Sequence, residues 1–334
     1  MTLQAPLDGY VVYGGELSYF TRKLTAALHF YDARYQLRGK TPDVAEHVEL
    51  RSGTHQVPVL HTPENWLIAD TTPLLEMLDG RHPARRMIPE GPLGVVVRVV
   101  EEYFDEWLAR TMVHFRWHYP RSAAFAANRM TGGDAEAAAR IAAWGPRACR
   151  ATGTESKLQQ AAAEAEYLRI LEAAERQLSE TAYLLGERPT SVDCVMLGGL
   201  RAHTNMDPDP RLLLANYPRV VAWAETAADG WDGGGELAPF PDCTPFAALV
   251  VEELRRHYVP FLEANIAAVR VGAKAFQAQC YGETVSYLTR AYPVRSWQLL
   301  LDRLHAMPDD QQRAVRAWAD SAGLGAAMAH GAGR

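Results

Sequence analysis

The sequence predicts an α/β domain at the N-terminus followed by an all-helical domain. Short β-rich and helical segments alternate over the first 80 residues, whereas the apolar spacing beyond residue 94 is mostly that of helices. The segment RHPARRMIPEGPLG, with prolines at 83, 89 and 92, is typical of a linker. We therefore expect four parts: an α/β domain at 8–80, a linker at 81–93, a helical domain at 94–228 and an additional helical extension at 229–334.

Six elements are predicted in the α/β domain. Residues 10–14 form a β-rich run, residues 21–31 have helical apolar spacing, and residues 33–37 follow a turn at Asp32, which together indicate a βαβ unit. After a polar, irregular stretch, residues 57–61 and 66–69 flank a turn, and Leu74, Leu75 and Leu78 share one face of a helix. The second half thus predicts a β-hairpin followed by a helix.

The rest of the chain shows helical patterns and no predicted strand. Long helices are expected over residues 95–118 and 155–179, where apolar residues recur every third or fourth position. Thr190 and Asp193 have the spacing of a capping box, which predicts a helix start. Another helix is expected from Pro218, and Pro260 predicts a kink in the extension.

Composition and charge exclude several classes of protein. With a net charge of −6 and scattered basic residues, the chain shows no footprint for nucleic acid. It has neither the pattern of a secretory leader nor a run of about 18 uncharged apolar residues. Its 4 cysteines are far apart, without metal-ligand spacing. We therefore expect a cytoplasmic protein without a metal or a membrane partner.

The stretch QVPVLHTPENW places a proline inside an apolar run that otherwise predicts a strand. Proline has no N–H group and cannot pair fully in a central strand. Val57-Pro58 is therefore expected at an edge, a bulge or a cis bond with a purpose.

Three motifs in matching order are similar to the glutathione transferase superfamily: SYFTRKLTAAL, VPVL leading to ADTTPLLEML, and GERPTSVD. The resemblance covers roughly residues 10–228. It implies a thioredoxin-like N-terminal domain followed by an all-α glutathione-transferase-type C-terminal domain. About 100 further residues extend beyond the usual helical domain, which implies a long, serine-type bacterial subgroup.

The resemblance also implies a glutathione site. Pro58 corresponds to a cis proline, next to which the N–H and C=O groups of Val57 pair with the cysteinyl part of glutathione. Thr71 is implied to bind the γ-glutamyl carboxylate at a helix N-terminus, and Asp70 to face the ammonium group. The alternative is that Pro58 ends a strand and that Asp70 or Thr71 caps a helix.

Alignment with the first helix of the family places Ser18 at the position of the activating hydroxyl. A serine donates a hydrogen bond to the glutathione thiolate, whereas cysteine there would favour thiol oxidoreduction. The alternative is that Ser18 is only an N-cap. Tyr13 and Tyr19 are rival donors, and Tyr19 replaces the small residue or proline that often follows the activating position.

The second substrate is expected between the domains, at the end of the helix at 95–118. His114, Trp117 and His118 share a face there and could meet a planar electrophile or the glycyl carboxylate of glutathione. An ordinary mixture of surface and core residues at a helix end is the alternative.

These expectations favour a glutathione transferase that activates the thiol of glutathione for attack on a small hydrophobic electrophile. The alternative is a non-catalytic protein of the same fold that binds a ligand or a protein through the extension. The family also implies a homodimer, with Trp66 and the helix at 95–118 near the interface.

Overall fold

A computed structural model describes residues 4–329 of the 334-residue chain. The N-terminal unit is built on a four-stranded sheet with the order β2-β1-β3-β4, in which β1 and β2 are parallel and the other neighbours are antiparallel. Its strands are β1 Tyr10–Tyr13, β2 Tyr35–Arg38, β3 Val59–His61 and β4 Leu67–Ala69. Its helices are α1 Tyr19–Phe30, α2 Pro42–Ser52 and α3 Thr71–Arg81. The thioredoxin-like arrangement expected for this part of the chain is confirmed.

The sheet separates two apolar layers because successive side chains of a strand point to opposite faces. Val12 and Leu60 belong to the main core together with side chains of α1 and α3. On the other face, Val11, Tyr13 and Val59 pack with Val48 of α2 in a smaller cluster.

Helix α2 replaces the irregular segment expected between β2 and β3. Pro42 stands in its first turn, and Gly53 follows its last residue with φ 72°. Both are ordinary end signals of a helix. Val48 is its one buried residue, so α2 has almost no apolar periodicity by which a sequence pattern could reveal it.

The helical domain begins at α4, and a π-helical turn separates α4 from α5. The single helix expected over 95–118 is instead α4 Gly91–Glu102, a π turn Tyr103–Leu108 and α5 Ala109–His118. A π turn holds more residues than an α turn, so it changes which side chains share a face. The following helices are α6 Pro120–Met130, α7 Ala135–Ala151, α8 Lys157–Gln177, α9 Ser191–Gly199 and α10 Pro218–Thr226. The helices expected at 155–179 and from Pro218 are thus confirmed.

The capping box at the start of α9 is also present. The Thr190 N–H donates to the Asp193 carboxylate at 2.7 Å, and the Leu184 N–H donates to the same carboxylate at 3.0 Å. Helix α9 packs closely on α1, where a Cβ added at Gly198 would lie 2.8 Å from the Tyr19 carbonyl oxygen. A glycine at this position therefore lets the two domains approach.

The extension contains a β-hairpin, which corrects the expectation that strands end at the linker. Its elements are α11 Pro245–Glu253, a π turn Leu254–Tyr258, α12 Val259–Arg270, β5 Ala275–Cys280, β6 Glu283–Leu288, α13 Ala291–His305, α14 Asp309–Ser321 and α15 Gly325–Ala329. Pro260, where a kink is expected, lies in the first turn of α12, directly after the π turn. Tyr281 and Gly282, with φ of 50° and 79°, form the hairpin turn. Positive φ at both positions is the geometry of a two-residue hairpin loop, although tyrosine is an unusual residue for it.

One continuous apolar core runs through all three parts of the chain. It includes Leu28 of the N-terminal unit, Leu171 of the helical domain and Leu301 of the extension. The extension therefore packs as part of the same body. Among residues 4–329, none of the helices is both long and apolar enough to cross a membrane.

A buried ion network joins α1 to the path of α4. Lys23, with no exposed side-chain surface, lies 2.5 Å from Glu101 and 2.6 Å from Asp105. Arg98 also pairs with Glu101 at 2.5 Å. This network fixes the position of Asp105, which faces the cleft described next.

Candidate functional site

A cleft of about 570 Å³ lies between the N-terminal unit, the π turn with α5, and the extension. We call the residues that the N-terminal unit contributes the thioredoxin-like wall; they include Gln56, Val57, Pro58, Asp70 and Thr71. The aromatic side chains that line the cleft come mainly from the π turn and the extension: Phe20, Trp107, Phe261, Tyr287 and Tyr292. Four charged side chains opposite the thioredoxin-like wall are Asp105, Glu106, Arg110 and Arg290.

The thioredoxin-like wall brings two of the predicted motifs together. The Val57-Pro58 peptide bond is cis, as expected from the resemblance. Asp70 is the N-cap of α3, with φ 72°, and its carboxylate accepts a hydrogen bond from the Thr72 N–H at 3.2 Å. Thr71 is the first residue of α3 and is 5% exposed. The backbone N–H groups at this helix start and the side chains of Asp70 and Thr71 therefore border the same cleft as Val57.

The three candidate hydroxyl groups lie outside the set of described residues that line this cleft. Ser18 is the N-cap of α1 and its hydroxyl accepts a hydrogen bond from the Thr21 N–H at 3.2 Å. Tyr19 is buried between α1 and the helical domain, where its hydroxyl donates to the Phe104 carbonyl at 3.3 Å. Tyr13 stacks on His61 in the layer beneath α2. Burial raises the pKa of both tyrosines, so neither phenol loses its proton readily.

The predicted second-substrate residues also lie away from the lining. The His114 ring contacts the Glu164 carboxylate at 2.7 Å and the His118 ring at 2.8 Å. Trp117 packs against Gly145 and Trp144 in the contact between α5 and α7. Their substrate-binding role stays a prediction, because the residues of this path that line the cleft are about one turn earlier, from Asp105 to Val113.

Two carboxyl groups of the cleft have raised pKa values. Burial raises the pKa of Asp105 to about 6 against the lowering effect of Lys23. It raises the pKa of Glu106 to about 7, although Arg290 favours the charged form. The nearest Arg290 and Glu106 charged atoms are 3.8 Å apart. Glu106 therefore changes charge close to neutral pH and is able to exchange a proton with a ligand.

Arg110 forms a buried ion pair with Glu166. Its Nη2 atom lies 2.5 Å from Glu166, which also accepts hydrogen bonds from the Tyr103 hydroxyl at 2.5 Å and the Trp107 indole N–H at 2.8 Å. The guanidinium lies 4.2 Å from the centre of the Trp107 ring. Although burial disfavours the charged form, Glu166 holds the pKa of Arg110 above its ordinary range.

Sequence reasoning missed Arg110, Tyr287 and Arg290. A signal for the first was present: Glu102, Glu106 and Arg110 recur every four residues in a predicted helix with many apolar residues, which places charge where a buried helix rarely carries it. A signal for the hairpin was the alternation of Phe276, Ala278 and Cys280 with polar residues, which is the period of a half-buried strand.

Comparisons with known proteins agree with the architecture. Residues 122–229 match the family described as glutathione S-transferase, C-terminal domain. No curated protein matches the chain.

Among solved structures, the beta-etherase LigF from Sphingobium sp. strain SYK-6 is 15% identical, with a TM-score of 0.49, and the match covers 73% of this chain and 99% of that one. A glutathione S-transferase from Rhodospirillum rubrum F11 is 16% identical, with a TM-score of 0.45 and coverage of 72% and 91%. A glutathione S-transferase from Methylobacillus flagellatus KT, solved with glutathione bound, is 19% identical, with a TM-score of 0.42 and coverage of 67% and 96%.

The family match falls on α6 to α10, directly after the thioredoxin-like unit and the path from α4 to α5. The order of these parts is the one expected from the sequence. Residues 122–229 are therefore similar to the C-terminal domain of glutathione S-transferases, the superfamily that the sequence motifs also resemble.

Proposed function

We propose that this protein binds glutathione in the cleft and transfers its thiol to a small hydrophobic electrophile. The observation that carries the proposal is the meeting of Val57, Pro58, Asp70 and Thr71 on one side of a cleft whose other sides are aromatic. A cavity of about 570 Å³ lies within the range of small-molecule sites, roughly 300–1,000 Å³.

The γ-glutamyl and cysteinyl parts of the tripeptide each have a complementary group in this proposal. The γ-glutamyl carboxylate lies at the start of α3, where the Thr71 hydroxyl and the helix dipole favour an anion. Asp70 faces the γ-glutamyl ammonium group, and the backbone of Val57 pairs with the cysteinyl part. The thiol then points towards the aromatic lining, where the electrophile binds.

Ser18 remains the proposed activating residue. Its hydroxyl accepts from the Thr21 N–H and keeps its own proton free to donate to a thiolate at the start of α1. A charge-assisted hydrogen bond of about 1.5 to 3 kcal/mol supplies a tenfold or larger gain in thiolate fraction.

A second candidate function is favoured by a specific observation. None of Ser18, Tyr19 and Tyr13 is among the described residues that line the cleft. A protein with this arrangement could bind glutathione without activating the thiol, and would then act as a binding protein.

Turnover with glutathione and 1-chloro-2,4-dinitrobenzene separates the two functions. In this reaction the sulfur–carbon bond forms, the carbon–chlorine bond breaks, chloride leaves and the thiol proton passes to solvent. We expect an enzyme-dependent increase in absorbance of the thioether. Binding of glutathione with no rate above the uncatalysed reaction would contradict the transferase proposal and support the binding protein.

We also propose that the protein is a homodimer. Trp66, at the start of β4, is 54% exposed, and the Arg81 guanidinium lies 5.7 Å from its ring centre. An exposed tryptophan beside an arginine is typical of the residues that carry interface energy. Light scattering at micromolar concentration should give twice the 37.0 kDa chain mass, and Trp66→Ala should shift the protein towards the monomer.

A further inference from the structure

Arg110 carries hydrogen-bond donors that nothing in the described part of the chain satisfies. The residue is 3% exposed, and its Nε and Nη1 atoms are buried without a partner, while Nη2 alone contacts Glu166. Buried guanidinium groups are normally fully hydrogen-bonded, because each unsatisfied donor costs about 1 to 3 kcal/mol.

Glu166 cannot satisfy the remaining donors of Arg110. One of its carboxylate oxygens already accepts from Tyr103 and Trp107, and the other accepts from Arg110 Nη2. The cation is thus neutralised on one side only. Because Arg110 also lines the cleft, its free donors are available to a ligand that enters there.

The extension adds further donors to the same end of the cleft. Tyr287 of β6 is 3% exposed, and its hydroxyl has no nitrogen or oxygen partner; it faces the Cys280 thiol. Arg290 has a buried Nε atom without a partner. Helix α13, which starts beside Arg290, has no side-chain cap, and Ala291 of its first turn lines the cleft. Four sources of positive potential or free N–H and O–H donors therefore lie along one side.

The carboxylates of the cleft offset this potential only in part, because each lies near a cation. Asp105 pairs with Lys23 at 2.6 Å. Glu106 lies 3.8 Å from Arg290, and Asp70 lies 3.7 Å from Arg295. An anion at Arg110 would thus meet paired carboxylates and unsatisfied donors.

The remaining lining limits the rest of the ligand. Phe261, Tyr287 and Trp107 surround the donors, and the Arg290 guanidinium lies 5.0 Å from the centre of the Phe261 ring. Flat apolar groups pack well between such rings. Donors at one end of an aromatic slot suit an aromatic acid.

We propose that the electrophile is an aromatic compound carrying a carboxylate, and that Arg110 and the Tyr287 hydroxyl bind this carboxylate at the end of the cleft where α5 meets the extension. That the ligand reacts as an electrophile rests on the proposed transferase function, but the carboxylate site itself does not. The extension then determines substrate specificity, while the thioredoxin-like wall binds glutathione.

A matched pair of aryl halides tests the inference: 4-chloro-3-nitrobenzoate and 4-chloro-3-nitrobenzamide. In both, the glutathione sulfur bonds to the ring carbon, chloride leaves and the thiol proton passes to solvent. Each kcat/KM is divided by the rate constant of the uncatalysed reaction, which removes the difference in ring reactivity. We expect the acid to be favoured by about tenfold or more, the effect of a charge-assisted hydrogen bond. An equal or larger corrected value for the amide would overturn the inference.

Variants locate the effect. Tyr287→Phe keeps the ring and should reduce the preference for the acid over the amide by about threefold or more. Tyr292→Phe is the matched control, because Tyr292 lines the same cleft but is 41% exposed, and its preference should equal that of the wild type. Arg110→Gln should abolish the preference. If Arg110→Gln does not fold, Tyr287→Phe and Tyr292→Phe still test the inference. Equal preferences for the acid in these two variants would count against the carboxylate site.

Binding of benzoate and benzamide without glutathione keeps this inference separate from the proposed function. Calorimetry should show that benzoate binds about tenfold more tightly than benzamide. This result with no turnover of any aryl halide would support the carboxylate site and contradict the transferase. Turnover of 1-chloro-2,4-dinitrobenzene with equal binding of benzoate and benzamide would support the transferase and overturn the carboxylate site.

Discussion

The two sides of the cleft differ in how they are encoded. The thioredoxin-like wall consists of short motifs, Val57-Pro58 and Asp70-Thr71, each of which forms its geometry from neighbours in sequence. The opposite side joins Arg110 to Tyr287 and Arg290, which are about 180 residues away in the chain. Local chemistry fixes the first wall, whereas tertiary packing assembles the second.

This difference suggests a division of roles. In our proposals the thioredoxin-like wall binds the common co-substrate, glutathione. The side assembled by the extension receives the variable substrate, because loops and added elements on a fixed scaffold are where specificity is usually placed. Four changes, from the largest expected effect to the smallest, test how far the two sides are independent.

Lys23→Met should destabilise the contact between the N-terminal unit and the helical domain, and so affect both sides of the cleft. Lys23 joins α1 to Asp105 and Glu101, so the variant removes the cation paired with Asp105 and leaves Glu101 with Arg98 alone. We expect the free energy of unfolding to fall by about 3 to 5 kcal/mol, measured by urea denaturation. The control is Arg22→Met, because Arg22 is partly exposed and 3.9 Å from Glu16; its change should stay within about 0.5 kcal/mol. Equal losses of unfolding free energy in the two variants would show that the ion network does not stabilise the contact between α1 and the helical domain.

His203 should make the contact between α1 and the helical domain sensitive to acid. Burial, followed by the charge of Arg116, lowers the pKa of His203 to about 4 from 6.5. Between these values the unfolded chain binds a proton that the folded chain does not, so stability falls as the pH falls from above 6.5 to about 4. The loss is on the order of 2 to 3 kcal/mol.

The comparison for this prediction is His203→Gln. Its ring neighbours, Tyr19 and Asp207, remain, but the titrating group is removed. Thermal unfolding from pH 7 to pH 4 should show a smaller loss of stability than in the wild type. An unchanged pH dependence would mean that His203 is not the acid-sensitive group.

Thr71→Val should affect ligand binding at the thioredoxin-like wall alone. The variant keeps the shape of the first turn of α3 but loses the hydroxyl proposed to bind the γ-glutamyl carboxylate. Glutathione affinity should fall by about tenfold, measured by calorimetry, while benzoate affinity stays unchanged. Tyr287→Phe should show the reverse pattern. If both variants weaken both ligands equally, the two sides do not act separately.

Ser18→Ala should have the smallest effect on stability and a distinct effect on chemistry. Loss of the N-cap acceptor for Thr21 should cost about 1 kcal/mol of unfolding free energy. If the hydroxyl also stabilises the thiolate, the pKa of bound glutathione should rise and turnover at neutral pH should fall by about tenfold, with recovery at higher pH. Tyr19→Phe serves as control, since its hydroxyl donates to Phe104 and should not move the thiolate titration. A shift with Tyr19→Phe alone would overturn the assignment of Ser18.

The sequence was most informative where a feature depends on residues a few positions apart. The capping box of Thr190 and Asp193, the cis Val57-Pro58 bond and the N-cap Asp70 all belong to this class. Strands and helices of the N-terminal unit were predicted from periodicity, except α2, which buries only Val48. An element without an apolar face leaves no periodic signal.

The second side of the cleft could not be predicted for two physical reasons. The residues that line the cleft belong to the π turn Tyr103–Leu108 and the start of α5, about one turn before His114, Trp117 and His118, and a helical pattern alone does not show which turn meets the cleft. The hairpin turn at Tyr281-Gly282 lacks the asparagine or aspartate that usually marks such a turn. Contacts between residues so far apart in the chain depend on the packing of the whole core.

Selective recognition of the γ-glutamyl group tests the central claim most directly. A calorimetric titration would compare glutathione with cysteinylglycine, which keeps the thiol and the glycyl carboxylate but lacks the group proposed to lie at Asp70 and Thr71. We expect glutathione to bind at least about a hundredfold more tightly, because two charge-assisted contacts are lost with the γ-glutamyl group. Equal affinity for the two thiols, or no binding of glutathione, would contradict the claim that this cleft is a glutathione site.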